Sequence, residues 1–265
     1  MTQVPLGGQV RLHDGGAGRP LILLHSLLAD AASWAELVPI LRHQARVIVA
    51  DLPGFAGLPP ITGGLAPVAA ALGDAIAALK LPEPPLLVGN GYGSFLALRL
   101  ALDQPDLLGG LVLIGCGAAF SEPGRAAFWG MREAAATRGL AAIADTAMAR
   151  LFGAAFREAH PALMAARRAA FLQTNPETFD AACMALATLD ITAEAPRIIK
   201  PALLMVGSED QATPTAMAQD LAQRLPKARL EILEGLAHVP QLQDPKRIGD
   251  EILHFIESTR KPAGI

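Results

Sequence analysis

The stretch LLVGNGYGSF, residues 86–95, decides the fold of this chain. Its first three apolar residues predict a buried strand, its glycines predict a tight turn, and the residues after the turn predict a helix. A strand that runs directly into a helix is typical of sheets whose parallel strands are joined by crossover helices. The stretch therefore predicts an α/β fold with a mostly parallel central sheet and helices on both faces.

Short apolar runs of the same kind recur on both sides of this stretch. From residue 20 onward most of them are continuous rather than alternating, as in strands that are buried on both faces. The predicted strands are 9–13, 20–25, 46–51, 85–89, 110–115, 201–207 and 229–235. The predicted helices are 33–43, 65–80, 91–104, 214–225 and 245–258, with Thr213 as the capping residue of the fourth.

The interval 118–195 breaks the alternation of strands and helices. It is rich in alanine and phenylalanine, and its pattern is helical without a convincing strand. We expect a helical cap here, inserted into a core domain formed by residues 1–117 and 196–265. Such a cap lies over the carboxyl ends of the strands, where ligands bind in open α/β sheets. We expect Trp129 and Phe152 to contact a substrate beneath it.

Composition limits the partners of this chain of 265 residues. The net charge of −3 gives no sign of nucleic-acid binding, and the apolar runs are too short to span a membrane. No metal-ligand cluster, phosphate loop or dinucleotide fingerprint is visible, so we expect no metal and no cofactor. The start of the chain lacks the features of a signal peptide, which favours a cytoplasmic protein. A small-molecule substrate and a monomer or homodimer are expected.

Five motifs carry a resemblance to a known family. They are LILLHSLLADAASW, VIVADLPGFAG, LLVGNGYGSFLALRLAL, LLMVGSEDQATP and LEGLAHVPQLQDP. In this order they resemble the α/β-hydrolase superfamily over nearly the whole chain. Within the cap, RGLAAIADTAMARLFGAAF and FDAACMALATLDI are similar to 3-oxoadipate enol-lactonases. The resemblance implies a hydrolase of esters or lactones.

The candidate catalytic base is His238, which lies in a loop after a strand. A lone loop histidine is usually a surface residue, but Asp210 follows the preceding strand, and the order acid then histidine is that of α/β hydrolases. An aspartate bonded to Nδ1 would fix the tautomer and leave Nε2 free as a base. Glu209 and Asp244 are nearby carboxylates, but the resemblance points to Asp210.

The position of the nucleophile departs from the family. The pattern G-x-S-x-G reads GNGYG at residues 89–93, so Gly91 replaces the serine. Glycine removes both the reactive oxygen and the backbone strain of this turn. We expect free space above Gly91 that holds an attacking water or a substrate atom. Ser94 and Cys116 are poor replacements: the serine should point away from the substrate, and the cysteine is more simply a small buried hydrophobe.

Other expected site residues surround this turn. The resemblance implies an oxyanion hole made by the backbone N–H groups of Leu27 and Tyr92. Ser26 stands where the family has a glycine, either as a further hydrogen-bond donor or as a tolerated small residue. Ser26 and Asn90 are expected to contact substrate. In the cap, Arg150, Arg167 and Arg168 could bind a substrate carboxylate, although helix arginines usually face solvent.

Several functions remain open from the sequence. The leading hypothesis is hydrolysis of a small activated carbonyl compound, an enol-lactone or ester, by water that the Asp210–His238 pair activates without a serine nucleophile. A second is a lyase, isomerase or decarboxylase that uses the same base and oxyanion hole. A third is a ligand-binding pseudoenzyme, or a serine hydrolase inactivated at its nucleophile.

Overall fold

The computed structural model describes residues 2–4 and 9–259, with only the backbone described for 2–4. Eight strands form one sheet: β1 (Thr2–Val4), β2 (Arg11–Gly16), β3 (Arg19–Leu24), β4 (Ala45–Asp51), β5 (Leu86–Asn90), β6 (Gly110–Ile114), β7 (Ala202–Gly207) and β8 (Ala228–Leu233). The order is β1-β2-β4-β3-β5-β6-β7-β8. Strands β3 to β8 are parallel, whereas β1 and β2 pair antiparallel. The predicted α/β-hydrolase architecture is confirmed.

Eleven α-helices are assigned within the described residues. They are α1 (Leu37–Leu41), α2 (Leu65–Ala78), α3 (Tyr92–Asp103), α4 (Glu122–Arg138), α5 (Ala144–Leu151), α6 (Ala154–Ala159), α7 (Pro161–Phe171), α8 (Pro176–Ala187), α9 (Thr215–Arg224), α10 (Pro240–Gln243) and α11 (Pro245–Ser258). None of them is long and apolar enough to cross a lipid bilayer.

The continuous apolar runs are explained by burial on both faces of the sheet. In β3, Ile22 and Leu24 pack into one core, while Leu21 and Leu23 pack into a second core on the other face. Successive side chains of a strand point to opposite faces, so a strand covered on both sides needs an apolar residue at every position. The edge strand β8 is only partly buried along most of its length.

Helices α4 to α8 lie between β6 and β7, in the interval predicted as a cap. All of residues 118–195 are described, and no strand is assigned among them; a single β-bridge joins Ala119 to Asp190 near the two ends of the interval. The interval thus leaves the sheet at one point and returns beside it. The division of the chain into a core domain and a cap stays a prediction, and residues 1, 5–8 and 260–265 of that core lie outside the described residues.

The differences from the predicted elements have local causes. The helix expected over 33–43 is a 3-10 turn at Ala31–Trp34 followed by α1. Pro39 lies in the first turn of α1, where its missing N–H is tolerated, so the α-helix must begin shortly before it. Strand β2 begins two residues later than expected, and α10 is too short to produce a periodic pattern.

Candidate active site

The turn after β5 keeps the backbone geometry of a nucleophile elbow although it has no nucleophile. Gly91 has φ +51° and ψ −115°, a left-handed conformation that side chains disfavour. Two residues on, the N–H of Gly93 donates to the carbonyl of His25 at 3.1 Å. A Cβ on Gly93 would lie 2.2 Å from the carbonyl oxygen of Leu24, so glycine is required there. The end of β3 and the residue that follows it are therefore packed directly against the elbow.

Asp210 and His238 form a buried pair. The expected hydrogen bond is present: Nδ1 of His238 donates to Oδ2 of Asp210 at 2.8 Å. Both side chains are almost completely buried. Since Nδ1 is the donor in this bond, Nε2 is left with its lone pair, which is the state that a general base requires.

The Asp210 carboxylate is also bound by its own loop. The N–H groups of Ala212 and Thr213 donate to Oδ1, each at 2.8 Å, and the Thr213 hydroxyl donates to Oδ2 at 2.7 Å. Burial raises the pKa of Asp210, but the attraction of His238 and these hydrogen bonds outweigh it and hold the pKa below its ordinary value. Asp210 is therefore ionised and can stabilise a charged His238.

Thr213 has a role that the sequence did not predict. It was expected to cap the following helix, but α9 begins at Thr215 and the hydroxyl of Thr213 turns inward. Besides its bond to Asp210, its Oγ1 lies 3.2 Å from Nδ1 of His238. The spacing of three residues after Asp210 could have suggested this contact, because a side chain at that distance often bonds back to the carboxylate.

Asn90 positions the backbone of the histidine loop instead of facing the substrate cavity. Its Nδ2 donates to the carbonyl of His238 at 2.8 Å and to that of Ile114 at 3.3 Å. Its Oδ1 accepts a hydrogen bond from Nε2 of Gln241 at 3.1 Å. These bonds use the amide within the protein, so the expectation that Asn90 contacts substrate is wrong, and the residue fixes His238 from behind.

The space directly above Gly91 is narrow. A Cβ on Gly91 would lie 2.6 Å from Nε2 of His238 and 2.7 Å from Oγ of Ser26. Both distances are too short for real Cβ contacts. The two polar atoms themselves lie 3.5 Å apart, at the outer limit of a hydrogen bond. His238 and Ser26 therefore meet over the elbow, at the place where a nucleophile side chain would begin.

A small cavity lies in front of these atoms, beneath the cap. Its volume is about 30 Å³, enough for a water molecule but not for an ester or lactone. Substrate binding therefore requires cap side chains to move. The cavity is lined by Ser26, Leu27, Leu28, Gly91, Tyr92, Phe95, Phe120, Phe128, Arg150, Leu186, Ala212, Thr213 and His238. Tyr92 is the first residue of α3, where the N–H has no acceptor within the helix.

Two aromatic residues expected at the substrate lie elsewhere. Trp129 is 40% exposed on α4, with the guanidinium of Arg132 5.6 Å from its ring centre. Phe152 is buried and stacks on Phe156 within the cap. Neither lines the cavity. Composition indicates that these helices are rich in aromatic residues, but it does not say which face of each helix points to the core.

The three cap arginines have different environments. Arg167 pairs with Asp30 at 2.7 Å, and Arg168 with Asp145 at 3.5 Å. Arg150 lines the cavity and lies 5.7 Å from the ring centre of Phe128. Within residues 9–259 no carboxylate pairs with it. The side chain is partly buried, and this burial lowers its pKa, although the negative charge of Asp210 opposes the shift.

Ser94 and Cys116 do not replace the missing nucleophile. The hydroxyl of Ser94 donates to the carbonyl of Ile114 at 3.0 Å and does not line the cavity. Cys116 is fully buried, and burial raises the pKa of its thiol well above the ordinary value. A thiol in this state is a poor nucleophile.

A second groove shares no lining residue with this cavity. It has a volume of about 460 Å³ and lies on the cap, where Arg132 and Asp180 form an ion pair on its wall. Phe179 lines this groove and not the small cavity. The described residues also contain no group of three or more side chains suited to a metal ion.

The family is settled by comparison with known proteins. The model of the alpha/beta hydrolase family matches residues 21–251, so the chain belongs to this family.

Individual relatives agree with this assignment. A pimeloyl-[acyl-carrier protein] methyl ester esterase from Aeromonas hydrophila is 28% identical over 249 residues, which cover 91% of this chain and 96% of the relative. The magnesium-chelatase 30 kDa subunit of Rhodobacter capsulatus is 34% identical over 236 residues, covering 82% of this chain and 80% of that protein. The crystal structure of an enol-lactonase from Burkholderia xenovorans LB400 superposes with a TM-score of 0.87 at 25% identity, covering 94% and 97% of the two chains. The resemblance to enol-lactonases is thereby confirmed.

Replacement of Asp210 by Asn tests the pairing with His238. An amide in this place favours the other histidine tautomer, so we expect Asp210→Asn to lower kcat by about 10³- to 10⁴-fold, as for the corresponding change in a serine protease. Glu209→Gln is the matched control, because Glu209 is the adjacent carboxylate and makes no bond to His238. Equal kcat values in the two variants would contradict the pairing.

Replacement of Gly91 by Ala tests the crowding over the elbow. We expect a loss of stability of about 1–3 kcal/mol from the left-handed backbone, and a fall in kcat/KM of about 100-fold because His238 is displaced. Gly57→Ala is the control, since Gly57 has φ +77° and nothing within 4 Å of an added Cβ. This control should lose stability but not activity; full activity of Gly91→Ala would show that the space is free.

Proposed function

We propose that this chain is a hydrolase of small activated esters or lactones. The observation that carries the proposal is the buried Asp210–His238 pair, whose free Nε2 faces a cavity under the cap. The esterase and the enol-lactonase among its relatives support the same reaction class. The retained pair argues against a pure binding protein, because binding alone gains nothing from an oriented base.

His238 would activate the water that supplies the oxygen of the product acid. Nε2 takes a proton from the water, and Asp210 stabilises the resulting imidazolium. The N–H groups of Leu27 and Tyr92 would hold the negative oxygen of the tetrahedral intermediate. In the mechanism expected from the sequence, this water attacks the substrate carbonyl directly. An enol is a good leaving group, so such a substrate makes direct attack feasible.

Arg150 indicates the class of substrate. A partly buried guanidinium without an ion-pair partner is unfavourable, and a bound anion would supply that partner. Arg150 lies in the wall of the cavity, and this supports an anionic group on the substrate itself. We therefore propose an ester or lactone that also carries a carboxylate.

The reaction class is tested by a substrate panel. We expect the parent protein to hydrolyse enol-lactones or aryl esters, and His238→Ala to lose at least about 10³-fold in kcat because its base is removed. β-Keto acids belong in the same panel. Their decarboxylation without any ester or lactone hydrolysis would favour the lyase hypothesis, and ligand binding without turnover of any compound would favour the pseudoenzyme.

The role of Arg150 is tested by charge removal. We expect Arg150→Met to raise KM by about ten- to a hundredfold for a carboxylated ester, the value of one charge-assisted hydrogen bond. The KM for the neutral ester with the same leaving group should change little. Arg168→Met is the control, because Arg168 already pairs with Asp145 outside the cavity. An equal effect on charged and neutral esters would contradict the proposal.

A further inference from the structure

We infer that Ser26 is the nucleophile of this enzyme, delivered from the loop after β3 instead of from the elbow. The inference rests on the proposed function and concerns which oxygen attacks the substrate first. It assigns the first attack to a serine hydroxyl, with the water activated by His238 acting in a second step.

The position of the Ser26 hydroxyl is the first argument. Its Oγ lies 3.5 Å from Nε2 of His238 and 2.7 Å from the point where a Cβ on Gly91 would be. It is therefore close to the place that the hydroxyl of an elbow serine occupies, although it arrives from the opposite side. Hydrogen bonds of catalytic groups are often long before substrate binds and tighten in the complex. Asp210, His238 and Ser26 thus lie in series, with a firm hydrogen bond between the first two and a separation at the outer limit of a hydrogen bond between the last two.

The relation of Ser26 to the oxyanion hole is the second argument. In the elbow, the N–H of the residue after the nucleophile belongs to the hole. Ser26 is followed by Leu27, whose N–H is the other expected member of the hole. A nucleophile at position 26 is therefore followed directly by one backbone N–H of the oxyanion hole, that of Leu27. A nucleophile at position 91 would be followed in the same way by the N–H of Tyr92. An acyl group on either residue could place its oxygen between the same two donors.

The backbone of Ser26 is rigidly held. Nδ1 of His25 donates to the Ser26 carbonyl at 3.0 Å, and the N–H of Ala29 donates to it at 3.2 Å. The ring of His25 is itself fixed, because its Nε2 accepts from the N–H of Leu52 at 3.4 Å. Burial lowers the pKa of His25, which keeps the ring neutral and this network intact. These bonds fix the backbone from which the Ser26 hydroxyl projects towards His238.

The presence of glycine at position 91 is the third argument. A serine there would put its Cβ against both Nε2 of His238 and Oγ of Ser26. The site therefore has room for one hydroxyl beside His238, and the chain places that hydroxyl on Ser26. A single change, the move of the nucleophilic hydroxyl from position 91 to position 26, explains both the glycine in the elbow and the serine in the loop after β3.

The chemistry balances without a further reactant. The Oγ of Ser26 attacks the carbonyl carbon while its proton passes to Nε2 of His238. The carbon–oxygen bond to the leaving group then breaks, and the imidazolium returns the proton to that oxygen. Water attacks the resulting ester on Ser26, again giving its proton to His238, and the acid leaves as Ser26 recovers its hydrogen.

The test combines covalent labelling with kinetics. An alkyl fluorophosphonate phosphonylates activated serines, and we expect one group per chain, located on Ser26 by peptide mass spectrometry. Labelling should be lost in Ser26→Ala, strongly slowed in His238→Ala and retained in Ser94→Ala, the matched change of another buried serine. With an aryl ester, Ser26→Ala should lose at least about 10³-fold in kcat/KM, while Ser26→Cys should accumulate an acyl thioester visible in the intact mass. Unchanged melting temperatures would verify folding.

The outcomes separate this inference from the proposed function. If hydrolysis requires His238 but Ser26→Ala keeps kcat/KM within about tenfold of the parent, water attacks directly; the inference is then wrong and the proposed function stands. Suppose that Ser26→Ala is slower, but the parent carries no phosphonyl group on Ser26 and Ser26→Cys forms no acyl thioester. Ser26 then only positions other groups, and the inference is also wrong. If the parent hydrolyses no ester or lactone, the proposed function itself fails.

Discussion

The buried hydrogen bond between Asp210 and His238 is the interaction on which the rest of the site depends. It joins the loop after β7 to the loop after β8, and it leaves Nε2 of the histidine pointing towards the elbow. An isolated carboxylate could not remain ionised at this depth, because burial disfavours the charge. Two backbone N–H groups and the Thr213 hydroxyl supply the compensation, so the loop after β7 keeps Asp210 ionised beside His238.

The loop after β3 lies close to the elbow, and this limits which side chains fit beside His238. Gly93 lies against the backbone of Leu24, which brings the loop after β3 to within contact of the elbow. Once His238 and Ser26 meet there, position 91 cannot carry a side chain without displacing them. The glycine at the nucleophile position is therefore a requirement of this arrangement, and glycine also adopts the left-handed backbone of the elbow without strain.

Much of the fold could be predicted from the sequence, and the reason is physical. Strands buried on both faces must be apolar throughout, so β3, β5, β6 and β7 were visible as continuous runs. The pairing of Asp210 with His238 was expected from their places after successive strands together with the resemblance to α/β hydrolases, which pointed to Asp210 among the nearby carboxylates. What failed depends on side-chain direction: Trp129 faces outward, Asn90 bonds to the histidine loop, and Arg150, considered only as one of three cap arginines, lines the cavity. The contact between Ser26 and His238 joins residues 212 positions apart and had no local signal.

The most direct test of the account exchanges the residues at positions 26 and 91. The kcat/KM of the parent, Ser26→Gly, Gly91→Ser and the double variant should be measured on one aryl ester. The account predicts that each single variant is severely impaired, the first for lack of a hydroxyl and the second through crowding at His238. The double variant has one hydroxyl beside the base again, so its kcat/KM should exceed that of either single variant, a coupling that independent sites do not show. If the two losses simply add, Ser26 and Gly91 do not share one place beside His238, and the account is contradicted.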